Sequence, residues 1–86
     1  MNRESAVIVF YSKKNGIKAD LEVPLFISAS DLLIGLNTAY NLGIDTTDIK
    51  KCYIKSENPI ALLKGNKNLA EFGIRTGSVL FYDEVN

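Results

Sequence analysis

Ile27-Ser28-Ala29-Ser30-Asp31-Leu32-Leu33-Ile34-Gly35-Leu36-Asn37-Thr38-Ala39-Tyr40-Asn41-Leu42-Gly43 is the stretch that decides how the rest of the chain folds. Its pattern predicts the one substantial helix. Ser28 and Asp31 stand at capping-box spacing, and Ile27 and Leu32 occupy the two positions of a hydrophobic staple. At about 100° per residue, Leu32, Leu33, Leu36, Ala39 and Tyr40 fall on one face, wide enough to cover a sheet. Ile34, Asn37, Thr38 and Asn41 fall on the opposite face. Asp31, the only charge, lies in the first turn, where the helix dipole favours an anion. Gly43 is expected to stop the helix in a left-handed conformation.

Working outward, the flanks read as strands. Residues 6–12 (Ala-Val-Ile-Val-Phe-Tyr-Ser) are β-branched and aromatic at nearly every position, so both faces of that strand are expected to be covered or functional. Lys13-Lys14-Asn15-Gly16 is a hairpin turn. Residues 17–23 then alternate: Ile17, Ala19, Leu21 and Val23 on one side, Lys18, Asp20 and Glu22 on the other. Pro24 ends that ladder.

Beyond the helix, Ile44 is expected to close over its end, and Asp45-Thr46-Thr47-Asp48 forms a polar connection. A third strand is predicted over residues 49–55 and a short fourth over 60–63, joined by Ser56-Glu57-Asn58-Pro59. Residues 69–74 predict a helical turn broken by Gly73, and residues 79–83 the last strand. The order ββαββ, turn, β gives an α+β roll of the β-grasp kind, with a mixed sheet packed on one helix. One domain over residues 1–86 is expected, with an ordered core from about residue 6 to 83.

Composition narrows the function classes. The 86 residues carry ten basic and ten acidic side chains, so there is no excess charge to hold nucleic acid or an anionic membrane. Histidine is absent, which removes the usual base of triads and a usual zinc ligand. Cys52 is the only cysteine and reads as a small buried hydrophobe. Gly65 and Gly73 fit no phosphate-binding loop. No spacing of Ser, Asp or Lys would activate a nucleophile. No catalytic residue, metal site or cofactor is therefore expected. No apolar run approaches the ~20 residues that span a bilayer, and Met1-Asn2-Arg3-Glu4-Ser5 opens no signal peptide. A cytoplasmic location without direct membrane insertion follows as an expectation.

Leu69-x-x-Phe72-Gly73-Ile74-x-x-Gly77-x-x-Leu80-x-Tyr82 resembles the corresponding segment of ubiquitin-like domains. With Asp20-Leu21-x-Val23-Pro24 before an almost uncharged helix, and Phe72-Gly73-Ile74-Arg75-Thr76-Gly77-Ser78 before the last strand, the chain is similar to the YukD/EsaB proteins of Gram-positive type VII (WXG100) secretion systems. The resemblance spans about residues 6–83. It implies a non-catalytic protein-interaction component, an accessory or regulatory factor of such a system. The implied partner is a membrane or ATPase component of the machine, or a second copy in a homodimer. A ubiquitin-like modifier or sulfur carrier is the rival reading. It is disfavoured because Asp83-Glu84-Val85-Asn86 lacks the Gly-Gly that an activating enzyme adenylates. A nucleic-acid-binding β-grasp domain is a third, opposed by the charge balance.

The resemblance also suggests which way the central strands face. The family pattern turns Leu80 and Tyr82 towards the helix and Val79 and Phe81 outward. The family-like register of the first strand turns Val7, Val9 and Tyr11 inward and Ile8 and Phe10 outward. Ile8, Phe10, Tyr53, Val79 and Phe81 would then form an exposed apolar patch flanked by Lys51 and Lys55. An apolar patch of that size is seldom left unused. The alternative is a reversed register of the first strand, or apolar residues scattered singly over the surface. Lys50, Lys51, Lys55, Lys64 and Lys67 are interleaved with acidic residues and read as solvated surface, with an acidic partner or a phosphate as the functional alternative.

Overall fold

The computed structural model describes residues 4–49 and 52–82. In chain order it contains β1 (Ser5–Ser12), β2 (Ile17–Pro24), α1 (Ala29–Tyr40), β3 (Ile54–Glu57), β4 (Ala61–Leu63), a 3-10 turn (Ala70–Phe72) and β5 (Val79–Phe81). The five strands form one sheet in the order β2-β1-β5-β3-β4. β1 and β5 pair in parallel at its centre, while the other three pairings are antiparallel. This is the β-grasp arrangement that the element order predicts.

The helix starts as its sequence dictates. Asp31 donates its backbone N–H to the Ser28 hydroxyl at 3.1 Å. The preceding amides of Ala29 and Ser30 donate to the carbonyls of Lys67 and Gly65, both at 3.0 Å. The loop after β4 thereby satisfies donors that a helix N-terminus leaves open. Ala29, Leu32, Leu33 and Leu36 are buried against the sheet. Tyr40 continues their stripe and packs on Phe10, ring centroids 5.9 Å apart. Ala39, expected in the core, is exposed because it lies at the margin of that stripe.

Asn41 ends the helix, two residues before the expected Gly43. It takes the left-handed conformation (φ 53°, ψ 53°), and its N–H donates to the Asn37 carbonyl. Asn is among the few non-glycine residues that tolerate that region. Gly43 supplies a second positive φ, 75°, in the turn that brings Ile44 down onto the core.

The first strand corrects the expected register. Ala6, Ile8, Phe10 and Ser12 face the helix, and Ile8 and Phe10 are fully buried at 0% exposure. Val7, Val9 and Tyr11 face outward instead. The cause lies in the hairpin. A four-residue loop pairs Ser12 with Ile17, and directly opposed residues share a face. Phe10 therefore joins Ala19, Ile8 joins Leu21 and Ala6 joins Val23, the apolar side of β2. Leu80 is opposite Phe10 across the parallel pairing and is buried with it, as expected, leaving Val79 and Phe81 outward.

The third strand begins later than expected. The Cys52 N–H donates to the Ile49 carbonyl at 3.1 Å, and the strand opens at Ile54. Lys50 and Lys51 lie outside the described residues.

The last connection is tied by side chains. Asn68 and Glu71 exchange backbone-to-side-chain hydrogen bonds at 3.1 and 2.9 Å, a reciprocal cap that opens the 3-10 turn. Gly73 closes that turn at φ 83°, where a side chain would be strained and its Cβ would meet Pro59 Cγ at 3.4 Å. Leu69 and Ile74, on either side, drop into the core.

Candidate functional site, the outer face of the sheet

With one face of the sheet covered by α1, the other is left open among the described residues, and the ladder fixes which side chains it presents. One level across the strands reads Lys18, Tyr11, Phe81, Lys55, Leu62. The next reads Asp20, Val9, Val79, Glu57. A third pairs Glu22 with Val7. The apolar residues of the central strands β1 and β5 are flanked by charges on β2 and β3, and apolar Leu62 lies beyond them on β4.

Val9, Tyr11, Val79 and Phe81 are half-buried by their neighbours, while Val7 is 47% exposed. Lys18 Nζ stands 5.6 Å from the centroid of the Tyr11 ring, a distance at which the ring face attracts a cation. Glu22 accepts a hydrogen bond from the Ser5 hydroxyl at 2.6 Å, which holds its carboxylate on this face. Beside Phe81 the surface opens into a groove walled by Lys55, Glu57, Asn58, Ile60 and Leu62. Ile60 is 90% exposed at the tip of the β3–β4 turn.

That turn is held from below. The Ser56 hydroxyl, buried, donates to the Pro59 carbonyl at 2.7 Å. The Ser78 hydroxyl, also buried, donates to the Asn58 carbonyl at 2.7 Å and accepts from the Arg75 N–H at 3.0 Å. Arg75 Nη2 donates to Asn58 Oδ1 at 2.9 Å. The groove wall is therefore anchored to the segment entering β5.

Of the residues predicted for this patch, Val79, Phe81 and Lys55 share the face, and half-buried Tyr53 immediately precedes β3. Lys51 lies outside the described residues. Ile8 and Phe10 belong to the core and are replaced here by Val7, Val9 and Tyr11. Leu62 and Ile60, which extend the patch towards the edge, were not among the predicted residues. Their alternation with buried Leu63 was the available signal.

Cys52 is half-buried, its Sγ 3.4 Å from the Asp45 carbonyl oxygen. Burial, then the nearby Asp45 and Asp48 carboxylates, push its thiol above its ordinary pKa, away from the reactive thiolate. Asp45 accepts from both the hydroxyl and the N–H of Thr47, and these bonds hold its carboxyl below the usual value. Among the described residues, no group of three or more His, Cys, Asp or Glu could hold a metal ion. Among them, too, no helix is long and apolar enough to cross a membrane.

A family model described as WXG100 protein secretion system (Wss), protein YukD, matches residues 6–81. Several solved ubiquitin-like domains share the fold. The C-terminal ubiquitin-like domain of mouse tubulin-specific chaperone e is similar with a TM-score of 0.74 at 9% identity, over 96% of this chain and 89% of that one. A ubiquitin-like domain from tubulin-binding cofactor B gives 0.73 at 18% identity, over 95% and 91%. The corresponding domain of yeast Ddi1 gives 0.65 at 18%, over 94% and 90%. No curated protein sequence matches the chain. At these identities the structural likeness establishes a ubiquitin-like β-grasp fold.

Proposed function

Because the chain belongs to the YukD family of the WXG100 protein secretion system, we propose that it serves that machine as a cytoplasmic, non-catalytic docking module, binding a protein partner through the outer face of its sheet. The observation that carries this reading is the continuous apolar surface of Val7, Val9, Tyr11, Val79 and Phe81, rimmed by charges on β2 and β3. An aromatic pair inside a charged rim is the composition of a binding hot spot, since burying the rings releases water while the rim sets orientation. The partner is a membrane or ATPase component of the secretion machine, and the role is accessory or regulatory.

The test is titration of the purified cytosolic domains of those components against the wild type and against Phe81→Glu. Phe81→Glu is expected to weaken binding at least about tenfold and to reduce export of WXG100 proteins when it replaces the wild type in cells. Unchanged affinity for every component, with the variant folded, would remove the sheet face from the docking role.

A further inference from the structure

The charges on the outer face are arranged so that the face complements itself. Around Tyr11 and Phe81 the flanking side chains are Lys18 and Lys55; around Val9 and Val79, one level along, they are Asp20 and Glu57. All four charged residues are exposed. One half of the face is basic and the adjoining half acidic.

Consider a second copy turned over about a two-fold axis that runs across the strands, midway between these two levels. Each strand then lies over its own counterpart with its direction reversed. Lys18 stands over Asp20 of the second copy, Tyr11 over Val9, Phe81 over Val79 and Lys55 over Glu57. The symmetry repeats all four contacts in the opposite sense. Each contact is favourable, and both aromatic rings meet a branched aliphatic residue. The twist of the two sheets is accommodated by the usual aligned packing of sandwiches, about 30° between strand directions.

We propose that a second copy of this chain occupies the outer face, in a face-to-face two-fold dimer matched by these charge pairs. The inference rests on the docking reading above and names the occupant of that same surface. The 26 residues of the five strands, at roughly 3.3 Å per residue and 4.8 Å between strands, give a footprint of roughly 400 Å² per copy. A total of roughly 800 Å² is below that of stable interfaces and suits a weak, transient association. The dimer is accordingly reversible, and a partner from the secretion machine competes with self-association for the same residues.

Sedimentation equilibrium from micromolar to millimolar protein tests this with two charge-reversed variants. Lys18→Glu/Lys55→Glu makes all four of these positions acidic, and Asp20→Lys/Glu57→Lys makes all four basic. The wild type is expected to dimerise as concentration rises. Each variant alone is expected to dissociate about a hundredfold more readily, because every cross-interface pair becomes a like-charge pair. An equimolar mixture of the two is expected to recover a dimer containing one copy of each. Circular dichroism confirms that both variants are folded, as substitutions at exposed positions should leave them.

A wild type that stays monomeric to millimolar concentration would overturn the proposal, as would variants that dimerise like the wild type or a folded mixture that stays monomeric. Titration of the secretion components against Phe81→Glu separates the two claims. A monomeric wild type whose component binding is lost on Phe81→Glu sinks the dimer and retains the docking face. A dimer matched as described, beside component binding that Phe81→Glu does not change, retains the dimer and sinks the docking role.

Discussion

The side-chain amide of Asn37 holds both backbone polar groups of Ile44: its Oδ1 accepts from the Ile44 N–H at 2.9 Å, and its Nδ2 donates to the Ile44 carbonyl at 3.2 Å. The pair fastens the chain leaving α1 to the helix that it has just left, and so holds buried Ile44 against the core. Helical periodicity alone placed Asn37 on the outward face with no task.

Asn37→Ala should therefore cost about 1–2 kcal/mol, since two partly buried backbone groups lose their partner while the helix gains a slightly better former. For a domain of this size that is a fall in Tm of roughly 4–16 °C. Thr38→Ala, exposed on the next position, should stay within about 0.5 kcal/mol. Equilibrium denaturation of the two variants checks it; equal stabilities would show that the clasp contributes nothing.

Leu36 is buried at the centre of the face that α1 turns to the sheet. Leu36→Ala should cost about 2–5 kcal/mol through lost transfer energy and the cavity left behind. Ile34, two residues earlier and 42% exposed, should tolerate the same truncation at a cost well under about 1 kcal/mol. Thermal melts of the pair measure the phase of the helix directly.

The sequence was informative wherever one periodicity dominated. Alternation in residues 17–23 and the stripe of Leu32, Leu33 and Leu36 each identify one buried face. Residues 6–12 have no such contrast, because Val7, Val9 and Tyr11 are as apolar as Ile8 and Phe10. Parity there has to come from a neighbour. The neighbour was legible: a four-residue loop at 13–16 sets Ser12 opposite Ile17, and the polar side of β2 then selects the outward side of β1. The register borrowed from the family resemblance pointed the other way and misplaced Ile8 and Phe10, two of the seven candidate residues. The early stop at Asn41 and the late start at Ile54 depend on local hydrogen bonds of Asn37 and Cys52, which periodicity does not report.

Cys52 should be a slow nucleophile in the folded chain. Its folded pKa is raised, so at about pH 8 a smaller fraction is thiolate than in the unfolded chain, whose thiol titrates near 8.5. The linked stability is fully present below that unfolded value and is lost as pH rises through the folded one. Alkylation by iodoacetamide at pH 8 should accelerate severalfold when guanidinium unfolds the protein. Equal rates in the two states would show that neither burial nor the Asp45 and Asp48 carboxylates act on the thiol.

Phe10 and Tyr11 are adjacent in the chain and on opposite faces of the sheet, so a carboxylate placed at each reads the register of the central strand. Phe10 is wholly buried, stacked near Tyr40 and opposite Leu80. Phe10→Glu forfeits the burial of a phenyl ring, about 3–5 kcal/mol, and strands a charge among apolar neighbours. That exceeds a large part of the ~5–15 kcal/mol that holds a small domain together, so the chain should be unfolded at 25 °C by circular dichroism. Tyr11→Glu removes a half-exposed ring and its contact with Lys18, worth about 0.5–1 kcal/mol, and leaves a carboxylate within reach of the same ammonium. It should melt within a few degrees of the wild type and elute from gel filtration as a folded species. A folded Phe10→Glu beside an unfolded Tyr11→Glu would mean that β1 is turned over. The open face would then carry Ile8 and Phe10, and the level of Lys18, Tyr11, Phe81 and Lys55 would not exist.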